Sequence, residues 1–302
     1  MANPSSRKAL CILVTYNGMR WLDTVLEPFV DHPDFDLWVR DNGSSDGSAA
    51  FLKGHPAVDV FEEGDNVGFG IANNQGMCHA IREGYSHVYL LNQDAAMTRE
   101  GLGHLMAAAR QGEPSRVWCP VQLNWEGPEA NVGFDRYYAP QWKTAKAPFD
   151  VDFVNAAAWL IPLDVLTRVG GFNPIFFLYG EDRDWAKRFV TSGGQFRVLP
   201  DIVCRHDSSM QKKKRPMARI LEAKNYALEI TEYFSADGFS EWRRGFLGRA
   251  LARSLHRKQW FNTILLRTLR AEYRVGRRIR SMRSELEAVR PSSRWPSPFL
   301  DA

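Results

Sequence analysis

The sequence predicts an α/β fold in which a mostly parallel sheet is flanked by helices and followed by a helical C-terminal extension. Over the first two thirds of the chain, apolar runs of strand length alternate with segments of helical spacing, a rhythm typical of parallel sheets covered by helices. Several of the predicted strands end in polar residues, which is where an open parallel sheet binds its ligands. The 302-residue length suits one large domain with an appendage or two modest domains.

The predicted elements alternate in a regular order. The first strand is the continuous apolar run ALCILVTYN, and the helices are assigned from apolar residues recurring every three or four positions. Strands are predicted at 9–17, 58–63, 87–94 and 117–124, at the start of 151–172 and as a pair in 195–209, and 35–48 is predicted as a strand that runs into a polar Gly/Ser turn. Helices are predicted at 19–32, 48–53, 69–84 and 100–110, at the end of 151–172 and, after a turn, in 176–194.

Composition divides the chain into a neutral front and a basic back. We predict an α/β domain over 1–210, with its two halves at about 1–98 and 99–210, and a basic helical extension over 211–302. The net charge is only +4, yet residues 239–290 carry fourteen Lys or Arg against four Asp or Glu. This asymmetry predicts either an acidic partner, such as a membrane surface, or an ordinary solvated helical face.

Four widely separated cysteines without a C-x-x-C pair indicate neither a zinc site nor a disulfide framework. A reducing cytoplasm fits this usage best. The first apolar run is too short to span a membrane and lacks a small-residue cleavage site. We therefore expect a cytoplasmic protein, with contact at the inner face of the membrane through its basic extension as an open alternative.

Polar side chains follow three of the predicted strands. They are expected to converge, because the carboxyl ends of parallel strands meet at one edge of the sheet. The first strand ends with Thr15 and Asn17, the second with Asp41, and the fourth with Asn92, Gln93 and Asp94.

Two further stretches could carry chemistry. The run GDNVGFGIANNQG places glycines before a helix whose amides could face a phosphate, although it lacks the full G-x-G-x-x-G arrangement. The run YGEDRDWAKR places Glu181, Asp182 and Asp184 in the first turn of a helix, where a held carboxylate can act as a general base.

Each of these features also has an ordinary structural explanation. DNGSSDGS can be a simple Asx/Gly turn, and acidic residues belong in a first helical turn for dipole reasons alone. Asp184 and Arg188 have the i,i+4 spacing of a common surface pair. Asp94 suits a hard divalent cation, but one carboxylate needs further ligands, for which His206 is a candidate or else a structural histidine.

The order of the motifs resembles a known family. VTYN, DNGSSDGS, NVGFGIANNQG, LLNQDA, GGFNPIFFLYGEDRDWAKR and RHDSS are similar to the successive motifs of inverting glycosyltransferases of family two, which have the GT-A fold. The rhamnosyltransferase-like branch is the nearest likeness. The resemblance covers roughly residues 9–209.

The resemblance implies a site for a nucleotide-sugar donor. A pocket for the nucleoside and diphosphate would be lined by Thr15, Asn17, Asp41, Asn66, Gly68, Asn74, Asn92 and Gln93. Asp94 matches the last acidic residue of a D-x-D-type motif, and His206 would complete the shell of Mg²⁺ or Mn²⁺. Asp182 matches the catalytic base, with Asp184 as the open alternative, and Arg188 a basic residue near the diphosphate.

The acceptor is expected to lie against the later half of the catalytic domain. Flat faces for sugar rings are predicted from Trp125, Tyr137, Tyr138, Trp142 and Trp159, with Glu181 nearby. Partners implied by the resemblance are a dTDP- or UDP-linked donor and a glycan or lipid-linked acceptor. The C-terminal helices are expected to pack on the core, form a homodimer or contact an anionic membrane.

Two other classes compete with a glycosyltransferase. A sugar nucleotidyltransferase shares the sheet architecture, but VTYNGMRW lacks the glycine-rich basic loop expected after its first strand. A non-catalytic protein that binds nucleotide sugars or glycans would not require a base at Asp182. Nucleic-acid binding is not expected.

Overall fold

The computed structural model describes residues 8–131, 133–135, 141–174 and 176–207. The predicted C-terminal extension lies outside the described residues, as do Tyr137 and Tyr138. Within the part of the chain that the structure describes, no helix is long and apolar enough to cross a membrane.

Strands and helices alternate through the first half of the described chain. The strands are β1 Ala9–Thr15, β2 Phe35–Asp41, β3 Val60–Glu63, β4 His87–Asn92, β5 Ala95–Ala96, β6 Arg116–Asn124, β7 Phe149–Val151, β8 Ala158–Pro162 and β9 Gln195–His206. The helices are α1 Met19–Leu26, α2 Ser48–Leu52, α3 Phe69–Glu83, α4 Arg99–Gln111, α5 Gln141–Thr144, α6 Leu163–Val169 and α7 Glu181–Thr191, with a 3-10 turn at Glu27–Phe29.

The strands form one mixed sheet in the order β3-β2-β1-β4-β8-β6-β9-β5, with β7 paired to β9. The first four strands are parallel, as predicted. The later half differs, because β8 is antiparallel to both β4 and β6, and β5 and β7 are antiparallel to β9. Only β6 and β9 are parallel there. The α/β architecture is that of the GT-A fold, with a more mixed sheet than the alternation of elements predicts.

The strand pair predicted in 195–209 is a single twelve-residue strand, β9. Its pairing with β6 shifts register between Pro120 and Val121, so that Leu199 and then Val203 are their partners. Residues 200–202 are extra on the β9 side, which makes this a bulge in the ladder. Pro200 and Asp201 resemble a turn in sequence, but the bulge accommodates them without ending the strand.

Two apolar cores cover the two faces of the sheet. Strand β1 is buried along its whole length, and its side chains alternate between the cores, with Cys11 and Leu13 on one face and Ile12 on the other. Helices α1 and α4 pack on the first face and α3, α6 and α7 on the second. Burial on both faces explains why β1 reads as an unbroken apolar run.

Trp159, expected to offer a face to the acceptor, is instead a core residue. Its side chain has no exposed surface. Its ring centroid lies 5.3 Å from that of Trp185 and 5.0 Å from that of Phe196. A tryptophan in the middle of a short strand buried on both faces can only pack inward, and the sequence does not reveal that β8 lies inside the sheet.

Candidate active site

The polar ends of β1, β2 and β4 meet at one edge of the sheet. The strand register pairs Thr15 with Asp41 and places Asn92 beside the end of β1. Gln93 then joins the ends of β1 and β4, because its Oε1 accepts hydrogen bonds from the Thr15 hydroxyl at 2.7 Å and the Tyr16 amide at 2.8 Å. This edge is the site at which the remaining elements converge.

Asp41 is fully buried at the end of β2. Its Oδ1 accepts hydrogen bonds from the backbone N–H groups of Gly43 at 3.0 Å and Ser44 at 2.7 Å. Its Oδ2 has no hydrogen-bond partner among the described residues, although it is buried. A buried carboxylate oxygen left unpaired is costly, so it is a ready acceptor for a donor N–H or O–H of a ligand.

The loop after β2 is bound tightly to the start of α1. Asn17, at a positive φ of 53°, accepts a hydrogen bond from the Ser45 amide at 2.9 Å. Asp46 accepts from the Met19 amide at 3.0 Å and from Ser48, and these hydrogen bonds lower the pKa of Asp46 despite the opposing effect of burial. The sequence analysis did not single out Asp46, although it lies within DNGSSDGS.

The N-terminus of α3 holds a protein loop. Gly68 has a φ of +91°, and a Cβ there would lie 2.5 Å from the carbonyl oxygen of Phe177. That carbonyl accepts a hydrogen bond from the Phe69 amide at 3.0 Å, and Asn66 accepts one from the Gly68 amide at 3.0 Å. Two of the amides expected to face a phosphate are therefore bound within the protein, and the glycine permits the close approach of the loop that leads to α7.

Asn74 fastens the same loop from within α3. Its Oδ1 accepts a hydrogen bond from the Phe172 amide at 2.7 Å, and its Nδ2 donates to the Phe172 carbonyl at 2.8 Å. Asn74 is buried, as is Phe172. The Asn74 side chain therefore holds the backbone of this loop at Phe172.

Asp94 and His206 lie side by side where β5 pairs with the end of β9. The distance from Asp94 Oδ1 to His206 Nε2 is 3.4 Å. Two ligands held about 2.1 Å from one cation at angles of about 90–110° lie about 3.0–3.4 Å apart, so the observed spacing fits a shared divalent cation. In the described ranges, no group of three or more His, Cys, Asp or Glu residues is arranged to hold a metal.

The carboxylates in the first turn of α7 have different environments. Asp184 is buried and bonded to Arg188, with a distance of 3.0 Å between Asp184 Oδ2 and Arg188 Nη2. Burial raises the pKa of Asp184, although the adjacent guanidinium opposes the rise. Asp182 is only partly buried, and its Oδ1 accepts a hydrogen bond from the Arg183 amide at 2.8 Å. Of the two candidate bases, Asp182 is the more accessible.

Arg188 caps the turn that follows α6. Besides Asp184, its guanidinium donates to the carbonyl oxygens of Val169 at 2.6 Å and Gly171 at 2.7 Å. Burial lowers its pKa, while the Asp184 charge raises it. These hydrogen bonds hold the backbone that leads into the loop before α7. This is a different role from the diphosphate contact that the sequence predicts.

Tyr179 and Glu181 lie just before Asp182 in the chain. Tyr179 has a φ of +67°, a conformation that costs a side-chain-bearing residue roughly 1–3 kcal/mol and is concentrated at functional sites. The pKa of Tyr179 is raised by burial and by the negative charges of Asp94 and Glu181. Glu181 itself is buried at the start of α7.

The remaining aromatic candidates are half-buried. Trp125 packs partly against the first core. Trp142 packs 6.3 Å from the ring of Phe134 and its indole donates to Asp135 at 3.4 Å. Larger exposed apolar surfaces belong to Phe177 and to its neighbour Leu178, in the loop that leads to Asp182, and the sequence analysis did not single these out.

The mixed sheet, its flanking helices and the polar strand ends have the architecture of the GT-A fold. Residues 11–145 match the family model described as glycosyl transferase family 2. This match contains Thr15, Asp41 and Asp94, and it ends before α7 and β9. No curated protein sequence resembles the chain closely enough to count as a match.

Solved structures share the fold at low sequence identity. S. aureus TarS 1-349 matches with a TM-score of 0.54 and 15% identity, covering 80% of this chain and 78% of that one. The structure of S. aureus TarS 1-349 in complex with UDP matches with a TM-score of 0.52 and 17% identity, covering 79% of this chain and 74% of that one.

The chain spans less than half the length of two longer matched structures. It covers 43% of GalNAc-T7, with a TM-score of 0.49, 12% identity and 67% of this chain matched. It covers 37% of a longer S. aureus TarS structure, with a TM-score of 0.52, 15% identity and 67% of this chain matched.

Proposed function

We propose that the protein is a metal-dependent inverting glycosyltransferase that transfers a sugar from a nucleotide-sugar donor to a hydroxyl of a glycan or lipid-linked glycan. The observation that carries the proposal is the pair Asp94 and His206, spaced for one cation. Asp94 follows β4, and His206 ends β9. The end of β4 lies beside β1, whose last residue, Thr15, pairs with the buried Asp41. The match of residues 11–145 to glycosyl transferase family 2 supports the same class of reaction.

The donor nucleoside would bind at the ends of β1 and β2. Oδ2 of Asp41 offers a strong acceptor without a competing partner among the described residues, which suits the ring N–H of a uracil or thymine base. Thr15 and Asn17 border the same edge, with the loop bound by Asp46 behind them. UDP is a suitable first probe, since a TarS structure of the same fold is described as a complex with UDP.

The departing diphosphate would lie against Asp94 and His206. A bound Mg²⁺ or Mn²⁺ would supply Lewis-acid stabilisation of the charge that develops on this leaving group. Carboxylate and imidazole ligands are both compatible with Mn²⁺, and a two-residue shell leaves positions for phosphate oxygens and water. Asn92 and Gln93 precede Asp94, and we propose that they contact the ribose or the diphosphate.

Asp182 would act as the general base. The acceptor O–H proton passes to its carboxylate as the acceptor oxygen forms a bond to the anomeric carbon. The bond from that carbon to the diphosphate oxygen breaks, and the nucleoside diphosphate leaves with the electron pair. One displacement inverts the anomeric configuration and needs no covalent intermediate.

The order of the motifs favours rhamnose, from a dTDP- or UDP-linked donor, as the first sugar to test. Trp125 and Trp142 are the remaining tryptophans proposed to contact the acceptor, with Glu181 beside the base. We also propose a cytoplasmic location, with the basic C-terminal region at the inner face of a membrane that carries a lipid-linked acceptor.

A donor panel tests the function. Nucleotide sugars are incubated with the protein, with and without Mn²⁺, and release of the nucleoside diphosphate and product formation are measured. We expect one donor to be consumed only in the presence of the cation, with the opposite anomeric configuration in the NMR spectrum of the product. Retention of configuration would contradict the displacement mechanism, and pyrophosphate release from a sugar phosphate and a nucleoside triphosphate would favour a nucleotidyltransferase.

Asp94→Ala tests the metal assignment. Without this carboxylate the cation loses its only acidic protein ligand in the pair, so we expect Mn²⁺-dependent UDP binding to weaken at least tenfold. UDP binding without metal should change little. Isothermal titration calorimetry measures both quantities, and Asp23→Asn, an exposed carboxylate on α1, is the matched control. An unchanged Mn²⁺ titration would remove Asp94 from the site.

A further inference from the structure

Asp207, the residue after His206, joins the end of β9 to helix α1. Its carboxylate forms an ion pair with Arg20 and accepts a hydrogen bond from the indole N–H of Trp21 at 3.0 Å. Asp207 and Trp21 are both buried. The Arg20 side chain is half exposed, so the buried contact is the hydrogen bond from the indole to the carboxylate. A hydrogen bond to a charged acceptor is stronger than one between neutral groups.

The backbone of Asp207 reaches the other member of the candidate metal pair. Its amide donates to the carbonyl oxygen of Asp94 at 2.8 Å. This bond continues the ladder in which Ala95 pairs with His206. Because β5 has only two residues, its few backbone hydrogen bonds to β9 hold His206 in position only weakly.

Helix α1 is a firm anchor for this contact. The Gly18 amide donates to the Ser48 hydroxyl at 3.1 Å, and Asp46 binds the first turn of the helix. The Arg20 guanidinium lies 4.4 Å from the centre of the Trp21 ring, which orders the cation over the aromatic face. The loop that follows the Asp41 strand is therefore connected through α1 to Asp207.

His206 is also braced from the opposite side. Its carbonyl oxygen accepts a hydrogen bond from the Asn131 side chain at 3.2 Å. Asn131 is buried near the end of β6 and also accepts from the Gly133 amide. The backbone of His206 is thus fixed by β5, by Asn131 and, through Asp207, by α1.

We infer that Asp207 is a positioning residue that, together with Trp21 and Arg20, holds the His206 imidazole beside the Asp94 carboxylate for a shared divalent cation. The inference rests on the proposed function. Asp207 does not touch the cation in this arrangement, because its carboxylate binds α1. Loss of a residue that orients a metal ligand typically weakens metal binding by about 10–100-fold.

Mn²⁺ binding in the presence of UDP tests the inference. Asp207→Asn retains the shape but removes the charge that pairs with Arg20. Trp21→Phe removes the indole N–H, together with part of the ring volume, and keeps an aromatic side chain. We expect both variants to bind Mn²⁺ about tenfold more weakly in calorimetry at saturating UDP. UDP binding measured without metal should remain at the wild-type value, which a general loss of structure would not allow.

Asp150→Asn is the matched control. It breaks a partly buried ion pair with Arg197, which lies near the other end of the same strand, β9. The distance from Arg197 Nη2 to the Asp150 carboxylate is 2.9 Å. Its melting temperature should fall while its Mn²⁺ affinity stays unchanged. Trp21→Phe keeps the test valid if Asp207→Asn does not fold.

The possible outcomes separate the two proposals. If the wild-type protein shows no Mn²⁺-dependent binding of UDP, the proposed metal site fails, and the positioning role fails with it. If the wild type binds Mn²⁺ and both variants bind it equally well, only the positioning role of Asp207 is overturned. A parallel loss of UDP binding with and without metal would also overturn it, in favour of a general stabilising role.

Discussion

Asp182 and Asp184 lie two residues apart on one helical turn, yet their surroundings give them different chemistry. Asp184 is buried and forms an ion pair with Arg188, and Arg188 donates a hydrogen bond to the backbone of the turn after α6. The charge of Asp184 therefore stabilises the arginine that holds this turn. Asp182 remains partly exposed beside the loop that carries Phe177 and Leu178. A general base must come within hydrogen-bond distance of the proton that it removes, and its greater accessibility favours Asp182.

Asp182→Asn should lower the rate of sugar transfer by roughly 10²–10⁴-fold, which is the usual contribution of a general base. UDP affinity should be retained, because the asparagine has nearly the same volume and the proposed nucleoside pocket lies at the ends of β1 and β2. Initial rates and calorimetry measure the two effects.

Asp184→Asn provides the contrast on the same helix. It leaves the Arg188 guanidinium buried without its ionic partner, so we expect a clear fall in melting temperature. Wild-type turnover in Asp182→Asn would show that Asp182 is not the base.

At the scale of elements, helix α3 shows how a glycine determines the position of the loop before α7. The positive φ of Gly68 and the close carbonyl of Phe177 leave no room for a side chain. Asn74 and Phe69 then hold the same loop through its backbone. The loop ends at α7, so the start of α3 and the position of Asp182 are coupled through the backbone.

Gly68→Ala should therefore destabilise the protein by about 1–3 kcal/mol, from backbone strain alone. It should also reduce transfer, because Phe177 must move. Chemical denaturation and initial rates measure these effects. Gly103→Ala on α4 is the control, since a Cβ there meets no atom within 4 Å; helix propensity predicts stabilisation of roughly 0.5–1 kcal/mol for that change. Equal stabilities of the two variants would contradict the role of Gly68.

Strand β4 begins with a histidine that is expected to make stability depend on pH. Burial, together with the Arg110 charge, lowers the pKa of His87 to about 4 from an ordinary value of 6.5. The unfolded chain then binds more protons than the folded chain between these two values. The stabilisation from neutral His87 is complete above about pH 6.5 and is lost as the pH falls towards 4.

His87→Gln should flatten the fall in unfolding free energy between pH 6.5 and 4 by up to about 3 kcal/mol. Denaturant unfolding at a series of pH values measures this slope. His104→Gln, at an exposed position on α4, should leave the slope unchanged. If the wild type and His87→Gln have parallel profiles, the histidine is not protonated on unfolding in this range.

At the scale of the whole molecule, the two halves of the sheet carry different parts of the proposed site. The parallel strands β3, β2, β1 and β4 bring the donor-side residues to one edge. The mixed second half carries α7 and returns β9 to Asp94 through β5. The basic C-terminal sequence is not part of this proposed site, and its positive charge predicts binding to an acidic partner.

The full chain should bind vesicles of anionic lipid at low salt. Each Lys or Arg near such a surface contributes about 1 kcal/mol, and the attraction is screened as ionic strength rises. Co-sedimentation at 50 and 500 mM salt measures this, with neutral vesicles as the control. Arg277→Glu combined with Arg278→Glu should weaken binding severalfold. Salt-insensitive binding, or none at low salt, would favour packing or dimerisation as the role of this charge.

Much of the donor side can be predicted from the sequence, because its signals are local. The apolar run of β1 is buried on both faces, and the strand ends Thr15 and Asp41 lie beside each other by register. The second half is harder to predict. Strand order and direction there depend on pairings between distant segments, such as β6 with β9, and the two-residue strand β5 has no sequence pattern of its own.

The sequence by itself determined the α/β class, the succession of strands and helices, and the polar strand ends, since periodicity and turn chemistry are written in neighbouring residues. Only the tertiary structure decided that Trp159 is core, that Asn74 and Arg188 hold loops, and that Asp207 ties His206 to α1. These roles depend on which groups meet across the fold. A buried side chain takes its function from the partners that surround it, and partners from distant segments are set by packing.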